Sequence, residues 1–133
     1  MKEKFYLFIF LLPIFLAAFI AAQTTPEAEL SIEQFVEVKS NDPSLIVLDV
    51  RNDYELEGEL GVLDDIVNIS FWELPDRLEE IEKFKLQNIA VICHSGQRSA
   101  KATEFLNKNG YSAKNVVGGM KAYREFEKEH NSL

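Results

Sequence analysis

Apolar positions along this 133-residue chain form short unbroken runs that alternate with segments of helical spacing. Continuous apolar runs of this length are typical of strands that are buried on both faces of a parallel sheet. Two such runs predict strands over 45–50 and 88–93, and shorter stretches predict two further strands over 65–69 and 115–117. A double glycine at 118–119 ends the last strand.

The segments between the strands carry signals for the two ends of helices. Ser31 and Gln34 form a capping box before an apolar helical pattern, and Pro75 suits a first helical turn. Gly110 follows its segment as a C-terminal cap. The predicted helices cover 32–39, 74–84, 98–110 and 120–130, with a short helical turn within 51–58.

Strands that alternate with helices predict an α/β domain, with a central, mostly parallel sheet flanked by helices on both faces. This domain is expected over 30–130, after a linker at 23–29. Phe71 and Trp72, which follow the second strand, are expected in the core. Three residues of the third helix are expected to face the sheet: Ala100, Phe105 and Leu106.

The N-terminal residues have the layout of a secretory signal peptide. Lys2 and Lys4 precede an uncharged, mostly apolar run over 5–22, and a polar stretch follows. We expect residues 1–22 to direct export to the bacterial periplasm and to be cleaved. The alternative is an uncleaved membrane anchor formed by 5–22, because this run is near the lower limit for a membrane span. The membrane is an expected partner only in that case.

Charge and cysteine content narrow the class of partners. The chain has 22 acidic and 14 basic residues and a net charge of −8, which disfavours nucleic acid because its phosphates would be repelled. A single cysteine excludes an internal disulfide and a zinc site built from several cysteines. The acidic pair at 64–65 is interpreted as a solvated turn, and neither a metal nor another cofactor is expected.

The single cysteine, Cys93, lies at the carboxyl end of a predicted strand, where open parallel sheets place their ligand sites. Residues 94–99 lead from it into a helix, so backbone N–H groups and the helix N-terminus can surround an anion there. Both features favour a thiolate, and we expect a lowered pKa for Cys93. Gly96 suits a positive φ, and Arg98 adds a cation.

The spacing between Cys93 and Arg98 separates two chemistries that use such a cradle. Cysteine phosphatases hold a phosphate over the thiolate, with five residues between cysteine and arginine. Here only four residues intervene, from His94 to Gln97. The shorter loop makes a smaller cradle, which fits a single terminal sulfur better than a phosphoryl group. A cysteine-dependent phosphatase or arsenate reductase is therefore disfavoured. From the pattern alone, a cysteine at a strand end with no catalytic role is still an alternative.

Three blocks of the sequence resemble those of single-domain rhodaneses, which are sulfurtransferases. They are "LIVLDVR" at 45–51, "VICHSGQRSAKATEFLNKNGY" at 91–111 and "VVGGMKAYREF" at 116–126. The middle block is the most specific, and the outer two agree with it in order and spacing. The likeness covers about residues 30–128.

The resemblance implies covalent catalysis through a persulfide. Cys93 would take the outer sulfur of a donor such as thiosulfate and pass it to cyanide or a thiol. Arg98 matches the arginine that ends the family loop, and Asp49 and Arg51 match an Asp-x-Arg whose acid orients loop groups. The loop amides that would hold the persulfide belong to His94, Ser95, Gly96, Gln97 and Ser99.

One segment departs from the family pattern. Residues 57–70 carry Glu59 where a histidine is usual, and Asp64 and Asp65 lengthen the segment, which lies near the site entrance in the family. An alternative function therefore stays open: a non-enzymatic module of the same fold that binds a partner or senses oxidants through Cys93. The side chain of His94 is interpreted as pointing to solvent.

Overall fold

Five parallel strands form one sheet in the computed structural model, which describes residues 28–131. In chain order they are β1 (Glu29–Leu30), β2 (Ile46–Asp49), β3 (Ile66–Asn68), β4 (Asn88–Ile92) and β5 (Ser112–Val116). Their order across the sheet is β1-β5-β4-β2-β3, and every pairing is parallel. The predicted α/β fold with a mostly parallel sheet is confirmed. The predicted signal peptide and all but the last two residues of the linker lie outside the described residues.

Four α-helices and one 3₁₀-helix lie between and after the strands within residues 28–131. The α-helices are α1 (Ile32–Asn41), α2 (Asp53–Leu56), α3 (Gln97–Lys108) and α4 (Gly119–His130), and the 3₁₀-helix covers Leu78–Phe84. The capping box predicted for α1 is confirmed, since the Gln34 amide donates to Ser31 Oγ over 3.2 Å and the Ser31 amide donates to Gln34 Oε1 over 2.9 Å. Gly110 follows the end of α3 at φ 85°, as its predicted capping role requires.

Two hydrophobic clusters cover the two faces of the sheet. One contains residues of α3 and the 3₁₀-helix, and the other contains residues of α1 and α4. Because successive strand residues point to opposite faces, β4 contributes Ile89 and Val91 to the first cluster and Ala90 and Ile92 to the second. Cys93 continues this alternation and belongs to the first cluster.

The helix predicted over 74–84 is wrong in type and in start. Turns occupy 71–77, and a 3₁₀-helix follows. Leu78, Ile81 and Phe84 recur at intervals of three, which places them on one face of a 3₁₀-helix as readily as near one face of an α-helix. Ile81 is buried, and Leu78 and Phe84 pack against the same cluster.

The edge strand β1 and its neighbour β5 also differ from prediction. β1 is only two residues long and falls partly within the predicted linker, because a strand this short has no apolar run to reveal it. β5 begins three residues earlier than predicted, since it alternates exposed Ser112 and Lys114 with buried Ala113 and Asn115. Val117, predicted as its last residue, lies in a turn and is 45% exposed.

Two predictions about buried side chains are wrong. Trp72 is 71% exposed. Its neighbour Phe71 donates its amide to the Val50 carbonyl and packs against the first cluster, and the turn that begins there directs Trp72 outward. Ala100 is exposed as well, and the α3 residues that are buried are Ser99, Ala102, Thr103 and Leu106. Phe105 is half-buried against the first cluster.

Within residues 28–131, no helix has the length and apolar character needed to cross a membrane. The apolar run over 5–22 lies outside this range.

Candidate active site

The sulfur of Cys93 lies at the carboxyl end of β4, between β2 and β5, and accepts two hydrogen bonds from the loop that follows it. The Gly96 amide donates to Cys93 Sγ over 3.1 Å, and the Ser99 hydroxyl donates over 3.2 Å. Cys93 is only 1% exposed, so the sulfur lies at the base of the loop. Gly96 adopts φ 96° there, the positive φ expected from the sequence.

Opposing effects act on the pKa of the Cys93 thiol. Burial raises the pKa, but the hydrogen bonds from the Ser99 hydroxyl and the Gly96 amide, together with the nearby amides of Ser99 and Ser95, lower it below the ordinary value. The net direction is the one expected from the sequence. A thiolate is the nucleophilic form of cysteine, so this environment favours reaction at sulfur.

The N-terminus of α4 holds the other side of the loop. The amides of Met120 and Lys121 donate to the carbonyl oxygens of Cys93 and His94, over 2.8 and 3.0 Å. These two carbonyls therefore point away from the sulfur, and loop N–H groups are left to face it. Gly119 permits this approach, because a Cβ at this position would collide with the carbonyl oxygen of Cys93. Gly119 of the double glycine is thus needed for α4 to hydrogen-bond the backbone of the cysteine loop.

Arg98 does not bond the sulfur but forms a bidentate ion pair with Glu55. Its Nη1 and Nη2 each lie 2.7 Å from a carboxylate oxygen of Glu55. The hydrogen bonds from Arg98 lower the pKa of Glu55 to about 2 against the effect of burial. Glu55 in turn raises the pKa of Arg98, and the charge of Cys93 adds to this, so the cation and the sulfur interact through space.

Asp49 and Arg51 form a second ion pair, which is buried below the first. Arg51 Nη2 lies 2.7 Å from Asp49 Oδ2, and both side chains are at most 1% exposed. The same nitrogen donates to the Gly61 carbonyl over 2.8 Å, and Nη1 lies 3.5 Å from the carbonyl of Glu55. Asp49 was expected to orient groups of the cysteine loop, but its carboxylate bonds Arg51 instead. The pair thereby fixes the segment that carries Glu55.

The remaining loop residues present their side chains to solvent. His94, Ser95 and Gln97 are exposed, as expected for His94. The structure thus places hydrogen-bond donors of Ser95, Gly96 and Ser99 around the sulfur and pairs Asp49 with Arg51. No group of three or more potential metal ligands of the His, Cys, Asp or Glu type occurs in the part of the chain that the structure describes.

Glu55, Asn52 and Ser70 were missed by the sequence reasoning. The Asn52 amide donates to Glu55 Oε2 over 2.9 Å, and Asn52 Oδ1 accepts from the Ser70 hydroxyl over 2.6 Å. A local signal existed, since Asn52 and Glu55 have the spacing of a capping box at the start of α2. The pairing of Glu55 with Arg98 spans 43 residues and has no local signal.

Comparison with known proteins assigns this arrangement to one family. Residues 32–126 match the family described as "Rhodanese-like domain". The "Putative sulfurtransferase YtwF" of Bacillus subtilis is 32% identical over 103 residues, which cover 77% of this chain and 96% of that protein. The tRNA uridine(34) hydroxylase of Acaryochloris marina is 37% identical over 97 residues, 69% of this chain but only 31% of the hydroxylase. The domain therefore also occurs within a protein named for a different activity.

Solved structures agree with this assignment. The rhodanese-like domain protein of Staphylococcus aureus aligns with a TM-score of 0.64 and 29% identity, over 71% of this chain and 89% of that one. The rhodanese-related protein of Thermoplasma volcanium aligns with a TM-score of 0.65 and 32% identity, over 74% and 91% of the two chains. The chain belongs to the rhodanese family.

Proposed function

We propose that this protein is a sulfurtransferase that moves sulfane sulfur from a donor such as thiosulfate to a thiophilic acceptor, cyanide or a thiol. The sulfur is carried as a persulfide on Cys93. The observation that carries this proposal is the pair of hydrogen bonds from the Gly96 amide and the Ser99 hydroxyl to Cys93 Sγ. The name of the Bacillus subtilis relative supports the same reaction class.

In the first half-reaction, the Cys93 thiolate attacks the outer sulfur of thiosulfate. A bond forms between Cys93 Sγ and that sulfur, the sulfur–sulfur bond of thiosulfate breaks, and sulfite leaves with the electron pair. The product is the Cys93 persulfide anion. Covalent catalysis of this kind divides one transfer into two easier steps.

In the second half-reaction, an acceptor such as cyanide attacks the terminal sulfur of the persulfide. Thiocyanate leaves and the Cys93 thiolate is restored with its electron pair. Between the steps, the backbone N–H groups of residues 94–99 stabilise the negative charge on the terminal sulfur. Arg98 and Glu55 hold the rim of the loop, and Asp49 and Arg51 support the segment that carries Glu55.

We also propose that the protein is exported and acts outside the cytoplasm, from the signal-like pattern over 1–22. Cell fractionation of the full chain tests this separately. Recovery of the protein in the cytoplasm with an intact N-terminus would contradict export without bearing on the chemistry.

Steady-state formation of thiocyanate from thiosulfate and cyanide tests the proposed reaction. The full chain should form thiocyanate, Cys93→Ser should form none, and Ser99→Ala should retain reduced activity because its sulfur loses one hydrogen bond. If no sulfane donor supports turnover while Cys93 binds a partner or oxidises reversibly, the non-enzymatic alternative replaces this proposal. Phosphatase activity that depends on Cys93 would overturn the argument from loop length.

A further inference from the structure

An open groove lies between the start of α3 and the turn that follows β3. It encloses about 310 Å³ and is lined by Phe71, Trp72, Leu74, Pro75, Lys101 and Phe105. None of these side chains takes part in the hydrogen bonds that hold Cys93. The groove is therefore a feature that the proposed sulfur chemistry leaves unexplained.

Two residues that line the groove are close in the chain to residues bonded around the cysteine loop. Lys101 follows Arg98 by three residues, so the two side chains lie on one side of α3, about 4.5 Å apart along its axis. On the opposite wall, Phe71 follows Ser70, whose hydroxyl bonds Asn52. Asn52 in turn binds Glu55, the partner of Arg98. These hydrogen bonds thus link Ser70 to Arg98, which are close in the chain to groove residues on opposite walls.

The groove offers an aromatic platform to solvent. Five of its six lining residues are apolar, and Trp72 is 71% exposed, which is unusual for the largest apolar side chain. The rings of Phe71 and Trp72 pack edge to face with centroids 5.0 Å apart, and this contact stabilises the orientation of the Trp72 ring. A flat apolar or aromatic group would find a preformed surface there.

The residues that line the groove include one cation and no carboxylate. Lys101 has no ion pair within residues 28–131, and it is exposed and lines the groove. The charge of Arg98 is balanced by Glu55. The segment on the Glu55 side carries exposed Asp53, Glu57 and Glu59, which repel anions. Lys101 is therefore the cation that an incoming donor meets beside the aromatic platform.

We propose that this groove binds the organic part of the sulfur donor, an apolar or aromatic body that bears a negatively charged group. This inference rests on the proposed function and specifies its donor class. The body lies against Trp72 and Phe71, the anionic group meets Lys101, and the sulfane sulfur reaches Cys93. The thiolate attacks that sulfur, its bond to the organic part breaks, and the organic part leaves as an anion with the electron pair.

Three thiosulfonates separate the contributions of the ring and the charge. Methanethiosulfonate, benzenethiosulfonate and 4-carboxybenzenethiosulfonate all deliver their outer sulfur and release a sulfinate. For the full chain, kcat/KM of Cys93 loading should rise about tenfold with the ring. It should rise a further threefold, roughly, with the carboxylate.

Two variants and one control assign these effects to residues. Trp72→Ala should abolish the preference for the ring, so that benzenethiosulfonate and methanethiosulfonate load Cys93 equally. Lys101→Met, which keeps an apolar stem, should abolish only the gain from the carboxylate. Leu86→Ala, at a fully exposed residue that does not line the groove, should change neither. Equal loading by the methyl and phenyl donors, or a ring preference that survives in Trp72→Ala, would overturn the proposal.

Binding provides a readout that does not require turnover. Trp72 is the single tryptophan of the chain, so its fluorescence reports the groove directly. In Cys93→Ser, benzenesulfinate should change the emission saturably and methanesulfinate should not. If no donor loads Cys93 but benzenesulfinate still binds, the proposed function fails while the groove assignment stands. If benzenesulfinate does not bind, or if emission depends on protein concentration because a second copy covers the groove, the donor-groove proposal fails.

Discussion

Two arginine–carboxylate pairs lie close to the same sulfur and differ in burial. Each brings a guanidinium nitrogen within 2.7 Å of a carboxylate oxygen. The Arg51–Asp49 pair is at most 1% exposed, whereas the side chains of Arg98 and Glu55 are 25% and 16% exposed. The first pair joins residues two apart, and the second joins residues 43 apart. The same kind of ion pair therefore has a different role at each position.

The buried pair is a support, and the outer pair is an adjustable part of the site. Arg51 also holds the carbonyl of Gly61, so its loss would release backbone as well as charge. Arg98 and Glu55 reach solvent, which can stabilise either charge when the other is removed. Burial, more than the distance within the pair, decides how much each pair contributes to stability.

The largest expected effect comes from breaking the buried pair. Asp49→Asn leaves the Arg51 charge buried without its counter-charge and should lower the free energy of unfolding by about 3–5 kcal/mol. Urea denaturation measures this change. Arg77→Met breaks exposed pairs with Glu73 and Glu80 and should cost far less, because solvent screens these charges. Equal losses in the two variants would contradict the distinction by burial.

The next effect concerns donor loading after the outer pair is broken. Glu55→Gln leaves the Arg98 charge unbalanced at the rim and should raise kcat/KM for thiosulfate loading roughly threefold at low salt. The gain should shrink as ionic strength rises. Glu104→Gln removes the same charge from an exposed pair with Lys108 elsewhere on α3 and is the matched control. A gain of the same size in the control would assign the effect to net charge.

A smaller effect is expected in the pH dependence of stability. The pKa of Glu55 falls from 4.5 to about 2 in the folded protein because of its hydrogen bonds to Arg98. A lowered folded pKa stabilises above the unfolded value, so this contribution is complete above pH 4.5 and is lost as pH falls towards 2. Solvent screening limits it to about 1 kcal/mol. The stability difference between the wild type and Glu55→Gln should therefore vanish across this range, and a constant difference would contradict the assignment.

The smallest effect is a pair of opposite changes in the Cys93 pKa. Ser99→Ala removes a hydrogen bond to the sulfur and should raise the pKa, whereas Glu55→Gln frees the Arg98 charge and should lower it. The pH dependence of thiol alkylation measures both. Ser99→Thr, which keeps the hydroxyl, is the control for Ser99→Ala. Shifts of the same sign in Ser99→Ala and Glu55→Gln would show that Arg98 does not act on the sulfur.

The parts of the molecule that were predictable from sequence have local signals. Continuous apolar runs identified β2 and β4, a shorter stretch identified β3, and a capping box identified α1. The position of Cys93 between a strand and a helix was sufficient to predict the loop and the lowered pKa. In each case the determining interactions lie within a few residues of one another along the chain.

The parts that were missed depend on contacts between distant segments or on ambiguous spacing. No short-range sequence pattern predicts the pairing of Arg98 with Glu55. None predicts that Trp72 faces solvent while Phe71 packs inward. The interval of three between Leu78 and Ile81 suits both kinds of helix. The residues alone did not predict that the Arg51 side chain bonds the Asp49 carboxylate.

The central claim is that Cys93 carries sulfur, and an intact mass spectrum tests it most directly. After incubation of the full chain with thiosulfate, the mass should rise by one sulfur atom and return to its starting value when cyanide is added. Cys93→Ser should show no gain. The absence of an adduct across thiosulfate and the three thiosulfonates, or an adduct that persists in Cys93→Ser, would contradict the account.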